Sequence, residues 1–155
     1  MKKAVFAGTF DPVTLGHEEI IKRASALFDE VYVALCINPD KTAYFSLEKR
    51  LEMLKVACKP YKNVKVVYHE GLLVDLMKQN GIIYNVRGLR NSIDFEYEEV
   101  MHRYNQTLYP QMQIIYLPCE NNFVSVSSTA VRNAYKNGES LENYLSAPVC
   151  KVIKK

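Results

Sequence analysis

The chain has 155 residues, of which 48% are hydrophobic and 24% charged. Those are the proportions of an ordinary globular domain, and they exclude disorder, collagen-like repeats and coiled coil. Its 20 basic and 17 acidic residues leave a formal charge of +3, too little for the basic stripe of a nucleic-acid protein. Cys36, Cys58, Cys119 and Cys150 form no CxxC pair, so neither a zinc site nor a disulfide framework is expected. No apolar run approaches the ~20 residues that span a bilayer, and the Lys2-Lys3 pair precedes too few apolar residues for a secretory signal. The expectation is one reduced, cytoplasmic domain over residues 1–155, without membrane or nucleic-acid partners.

Lys3 to Gly8 reads as a short buried strand that ends in the turn cluster Gly8-Thr9-Phe10-Asp11-Pro12. Thr14 is a candidate N-cap for a helix whose apolar stripe is Ile20, Ile21, Ala24, Leu27 and Phe28. Val31 to Ile37 is a continuous apolar run, as in a strand covered on both faces. After a polar loop from Asn38 to Phe45, Ser46 caps a second helix with Leu47, Leu51, Leu54 and Ala57 inward, stopped at Lys59-Pro60. Val64 to Tyr68 is a third strand. Leu72 to Gln79 is a third helix, stopped by Asn80-Gly81. Ile82 to Val86 is a fourth strand, Asp94 to Leu108 a helix and Ile114 to Leu117 a fifth strand. Ser127 caps a helix to about Tyr135, and two short helices are expected around Leu141 to Leu145 and Val149 to Ile153.

Strands alternating with helices predict parallel pairing through right-handed crossovers. The fold class is therefore α/β, a doubly wound five-stranded parallel sheet with short C-terminal helices. Ligands of such sheets bind beyond the carboxyl ends of the strands, which directs attention to the strand-end loops. In the first, His17 falls in the opening turn of a helix, where free N–H groups and the dipole attract anions; an exposed histidine on a capped helix is the plainer alternative. The second presents Lys41 among turn formers. In the fourth, Arg87 and Arg90 flank Gly88-Leu89 and can fork onto phosphates, or pair with Asp94, Glu96 or Glu98. The fifth ends in Ser127-Ser128-Thr129 with Arg132 one turn on, either a phosphate cradle or a simple N-cap.

The composite Gly-Thr-Phe-Asp-Pro followed by Thr-x-Gly-His at 8–17 resembles the signature of the nucleotidyltransferase superfamily, with its Rossmann-like core. Within it, the chain is similar to the bacterial phosphopantetheine adenylyltransferase family over nearly its whole length. The blocks that carry this are residues 8–17, Lys41, Phe45-Ser46-Leu47-Glu48, Gly71-Leu72-Leu73, Arg87-Gly88-Leu89-Arg90, Asp94-Phe95-Glu96-Tyr97-Glu98 and Val126-Ser127-Ser128-Thr129. The stretch from Arg87-Gly88-Leu89-Arg90 to Asp94-Phe95-Glu96-Tyr97-Glu98 discriminates best, since other small nucleotidyltransferases lack it. The chain departs from the pattern at Thr42-Ala43, at Asn85 and at Asn122-Phe123-Val124.

The resemblance implies transfer of AMP from ATP to 4′-phosphopantetheine, giving dephospho-coenzyme A and pyrophosphate. It implies Mg²⁺ dependence, a homohexamer, and feedback inhibition by coenzyme A. It gives His17 the role of transition-state stabiliser, and places Thr9, Lys41 and Arg87 on the acceptor phosphate or its arm. Leu73 and Asn105 match positions near the pantetheine. Thr9, Phe10, His17, Gly88, Leu89, Arg90, Glu98, Phe123, Val124, Ser125, Val126, Ser127, Ser128 and Thr129 match the ATP site. Since the acceptor phosphate is itself the nucleophile, alignment and fixed positive charge must supply the catalysis. Lys41, Arg90 and His17 are the candidates, with no metal ligand expected from the protein. Two alternatives differ: another acceptor for the same chemistry, such as nicotinate mononucleotide or glycerol phosphate, and a nucleotide-binding module that transfers nothing.

Overall fold

A computed structural model describes residues 1–155. Strand β1 (Lys3–Gly8) is followed by helix α1 (Leu15–Leu27), β2 (Glu30–Cys36), α2 (Leu47–Cys58), β3 (Val64–His69) and α3 (Leu73–Asn80). The second half holds β4 (Tyr84–Leu89), α4 (Ser92–Leu108), β5 (Gln113–Pro118), a 3₁₀ turn at Asn121–Phe123, α5 (Ser128–Lys136) and α6 (Ala147–Ile153). The five strands form one parallel sheet in the order β3-β2-β1-β4-β5. Chain direction across the sheet reverses between β1 and β4, the doubly wound arrangement that opens a crevice at the switch point.

The pleat sorts the core into two layers. Ala4 and Phe6 of β1 and Val31, Val33 and Leu35 of β2 pack with α1, α2, α5 and α6 on one face. Their alternate neighbours Val5, Ala7, Tyr32 and Ala34 pack with α3, Tyr109 and Met112 on the other. A period of two in the strands is thereby matched to helices on both sides.

Three expectations shift. The fourth strand begins at Tyr84 rather than Ile82 and runs to Leu89. Ile82 is spent on ending α3: Gly81 adopts the left-handed conformation (φ 65°), and the Ile82 N–H bonds the Met77 carbonyl at 2.8 Å. Gly88 and Leu89, expected in a loop, are paired with Leu117 and Pro118. The stretch around Leu141 to Leu145 is a single turn and not a helix. Its continuation is diverted because the Tyr144 carbonyl accepts the Leu15 N–H at 2.8 Å, satisfying a free donor at the start of α1. Finally, Leu27 is 58% exposed and leaves the inward stripe of α1 to Ile20, Ile21 and Ala24.

Candidate active site

A cleft of about 480 Å³ opens at the switch point, beyond the carboxyl ends of β1, β4 and β5. Of the residues singled out in the sequence, Thr9, Phe10, His17, Lys41, Arg87, Gly88, Arg90, Glu98, Phe123, Val126, Ser127 and Ser128 line it.

Others lie outside that lining. Leu89 ends β4 beside Pro118. Leu73 opens α3 and packs against the second core layer. Asn105 sits late in α4, with its carbonyl taken by the Tyr109 N–H. Val124 and Ser125 are exposed, and Thr129 accepts a hydrogen bond from Arg132.

His17 is the third residue of α1 and closes a capping box with Thr14. The Thr14 N–H donates to His17 Nδ1 at 3.0 Å. A backbone N–H can only donate, so Nδ1 carries no proton, and the neutral ring must hold its proton on Nε2. The Nε2–H is thus the available donor. Burial, then the positive charge of Arg87 and Arg90, lowers the imidazole pKa to about 4. At physiological pH the His17 ring is therefore neutral, with its proton on Nε2.

Phe10 holds the other side of this ring, edge-on at 5.0 Å between centroids, and meets Phe6 at 5.7 Å. Its backbone is left-handed (φ 44°) although it is only 2% exposed. Such a conformation in a non-glycine residue costs roughly 1–3 kcal/mol and persists where packing over-determines it. The buried ring provides that packing, and it turns the chain from β1 towards α1.

The two arginines of the fourth strand end are both held by carboxylates of α4. Arg87 Nε and Nη2 donate to the two oxygens of Glu98, each at 2.9 Å, and Nη1 donates to the Ala7 carbonyl at 2.6 Å. Arg90 pairs with Asp94 at 3.1 Å, and its N–H donates to the same carboxylate at 3.0 Å. Both ion-pair alternatives are realised, without removing either guanidinium from the cleft. A guanidinium has five N–H donors, so Arg87 keeps two for a ligand.

The three hydroxyls of α5 are also engaged. Ser127 Oγ caps the helix by accepting the Ala130 N–H at 3.1 Å, which leaves its own O–H free to donate. Ser128 Oγ donates to the Pro12 carbonyl at 2.8 Å, tying α5 to the first loop. What remains for an anion is the Ser127 hydroxyl and the unpaired N–H groups of the first helical turn.

Several contributors gave no usable signal in the sequence. Cys119 lines the cleft as an isolated cysteine. Ile20 lines it because Gly88 lets α1 sit close: a Cβ at position 88 would stand 3.1 Å from Ile20 Cγ1. Arg50, 5% exposed, donates to the carbonyls of Thr9 and Phe45. Its position three residues after Leu47, on the inward stripe of α2, was the one readable hint.

Comparison with known proteins gives the family and the fold. Residues 5–134 match the cytidylyltransferase-like family. The phosphopantetheine adenylyltransferase of Streptococcus pyogenes serotype M2 (strain MGAS10270) is 42% identical over 155 residues, covering 99% of this chain and 95% of that protein. The protein of the same name from serotype M1 matches equally well. A crystal structure from Vibrio parahaemolyticus, described provisionally as a nicotinate-nucleotide adenylyltransferase, superposes with a TM-score of 0.70. It is 21% identical, covers 99% of this chain and 93% of its own, and supports the fold.

Proposed function

The chain belongs to the cytidylyltransferase-like family and, within it, to the phosphopantetheine adenylyltransferases, and from that premise we propose how its cleft works. The enzyme transfers the adenylyl group of ATP to 4′-phosphopantetheine. An acceptor phosphate oxygen bonds to the α-phosphorus, the bond from that phosphorus to the bridging oxygen breaks, and pyrophosphate leaves with the electron pair. No protein nucleophile is needed, because the acceptor is already an anion near neutral pH.

The observation that carries the mechanism is the fixed His17 tautomer. A neutral Nε2–H held by Thr14 can follow charge developing on the α-phosphoryl oxygens without reorganising. Lys41, Thr9 and the two remaining Arg87 donors take the acceptor phosphate. Arg90, the Ser127 hydroxyl and the first turn of α5 take the β- and γ-phosphates. Glu98 acts by orienting Arg87.

The donor set suits MgATP as the substrate. Mg²⁺ keeps several waters and binds chiefly through substrate phosphates. The structure gathers no cluster of three metal-ligating side chains, and Asp94 and Glu98 are committed to arginines. The ion would be held chiefly by the substrate phosphates, with the Ser127 hydroxyl of the cleft as a protein oxygen suited to it. When bound, it neutralises charge on the departing pyrophosphate.

The finer properties fit the same reading. A homohexamer is supported by α4, where Ile93, Tyr97, Val100, Met101, Tyr104 and Leu108 form one exposed apolar stripe at helical spacing; such a stripe marks an interaction surface. Coenzyme A carries both the pantetheine arm and an adenosine, so the same cleft takes it as a feedback inhibitor. Four unpaired thiols suit a reducing cytoplasm, and no helix is long and apolar enough to cross a membrane.

The deciding experiment is pyrophosphate release from ATP with a panel of acceptors. Release with 4′-phosphopantetheine alone is expected. Preference for nicotinate mononucleotide or glycerol 3-phosphate, or for CTP over ATP, would overturn the substrate assignment.

A further inference from the structure

Asp11 lies outside the cleft lining, yet the loop after β2 and helix α5 both bond to it. Its carboxyl is buried, and the residue is 7% exposed. Oδ2 accepts the Tyr44 N–H at 2.8 Å and Oδ1 the Phe45 N–H at 3.0 Å. Those two residues close the loop that leaves β2 and carries Lys41. Arg50 completes the junction from α2, donating to the Phe45 carbonyl and the Thr9 carbonyl, both at 3.1 Å. Arg132 of α5 donates to the Asp11 carbonyl at 2.7 Å and to Thr129 Oγ1 at 3.0 Å, with Nη1 3.8 Å from Asp11 Oδ2.

From Asn38 to Ala43 the loop makes only local bonds. The Lys41 N–H reaches the Asn38 carbonyl at 3.1 Å, and the Asp40 N–H reaches Asn38 Oδ1 at 3.0 Å. Lys41 itself is exposed and has no side-chain partner. The position of its ammonium over the cleft therefore depends on how the far end of the loop is anchored. A carboxylate accepting two backbone N–H groups is a strong, charge-assisted anchor. No neutral side chain of the same size offers two acceptors.

We propose that Asp11 is a positioning residue for the acceptor: it clips the Lys41 loop to the cleft and, through Arg132, ties it to the first turn of α5. This rests on the adenylyl-transfer reading, in which Lys41 meets the acceptor phosphate. Asp11 touches no substrate and acts through Lys41.

The test is Asp11→Asn, assayed beside the wild type, singly and in a Lys41→Ala background. An amide there faces one N–H with its own NH₂ and loses a charge-assisted bond. The KM for 4′-phosphopantetheine should rise roughly tenfold or more, while the KM for ATP changes about twofold or less. In the Lys41→Ala background the same substitution should add almost nothing, since contacts acting through one another are not additive. An unchanged acceptor KM, or the same fold-increase with Lys41 absent, overturns the proposal.

If Asp11→Asn does not fold, Arg50→Lys weakens the same junction from the other side. It should give the same acceptor-selective rise, and equal changes in both KM values would overturn the clip. A wild type that releases no pyrophosphate would refute the function instead. The clip is then read by amide hydrogen exchange, expected to accelerate at Tyr44 and Phe45 in Asp11→Asn; unchanged exchange overturns it.

Discussion

Arg87 is forked onto Glu98, with two N–H groups each 2.9 Å from a different carboxylate oxygen, while its third nitrogen grips the Ala7 carbonyl at 2.6 Å. The plane of the guanidinium is thus set by α4 and β1 before any phosphate arrives. Holding a charged donor in its working orientation reduces what binding must spend on ordering it.

Arg87→Lys tests that relationship. A lysine keeps the charge but cannot bridge both Glu98 oxygens and Ala7 at once. The KM for 4′-phosphopantetheine should rise roughly tenfold or more, as expected for a lost charge-assisted bond, with a smaller effect on ATP. Steady-state kinetics with each substrate varied in turn would decide; full retention of acceptor affinity would mean that charge alone suffices.

His17→Ala should remove a donor that strengthens in the transition state. Loss of such a donor costs about 2.7–4 kcal/mol, a fall in kcat of roughly a hundredfold or more, with little change in ATP affinity. Near-wild-type turnover would take His17 out of the mechanism.

The lowered His17 pKa also sets a pH signature. In the folded protein burial and the neighbouring arginines bring the ring down to about 4, from the ordinary imidazole value of 6.5. Between those values the unfolded chain binds more protons, so stability rises with pH there and is lost as pH falls from 6.5 towards 4. His17→Asn should flatten that part of the Tm–pH curve. The wild-type kcat profile should show no His17 limb near pH 6.5; a limb that disappears in the variant would contradict a neutral imidazole.

Gly88→Ala should disturb α1 from β4. The added methyl would lie 3.1 Å from Ile20 Cγ1, and Ile20 is one helical turn beyond His17. Overpacking of this kind costs about 1–3 kcal/mol. A lowered Tm accompanied by a reduced kcat is expected, and an unchanged Tm would show that Ile20 yields freely.

Val100 is 70% exposed in the middle of the apolar stripe on α4. Val100→Asp should shift the assembly towards smaller species in sedimentation or light scattering while leaving the monomer folded. An unaltered size distribution would remove α4 from the subunit contacts.

Much of this was legible along the chain. The strand runs, the Thr14, Ser46 and Ser127 caps, and the Gly81 stop are local, set by hydrophobic period and by side chains that bond their own backbone a few residues on. The doubly wound order follows from the alternation of strands and helices, and of the strand-end loops marked by the carboxyl-end rule those after β1, β2, β4 and β5 meet in one cleft, while residues 69–73 after β3 stay outside its lining. The bounds of β4 were misplaced because Ile82 is as apolar as a strand residue. Only the Met77 carbonyl, freed by the end of α3, explains why it serves as a cap contact instead.

Local pattern thus determined the fold, the loops and the chemical types gathered there. Which donors are already committed was decided only in three dimensions. Arg87 meets Ala7 across 80 positions, Ser128 meets Pro12 across 116, and Arg132 meets Asp11 across 121. No periodicity reports partners so far apart, because a buried polar group takes whichever complement the packed sheet and helices bring within about 3 Å. That selection forked Arg87 onto Glu98 and made Asp11, one letter of a turn motif, the point where the walls of the cleft are joined.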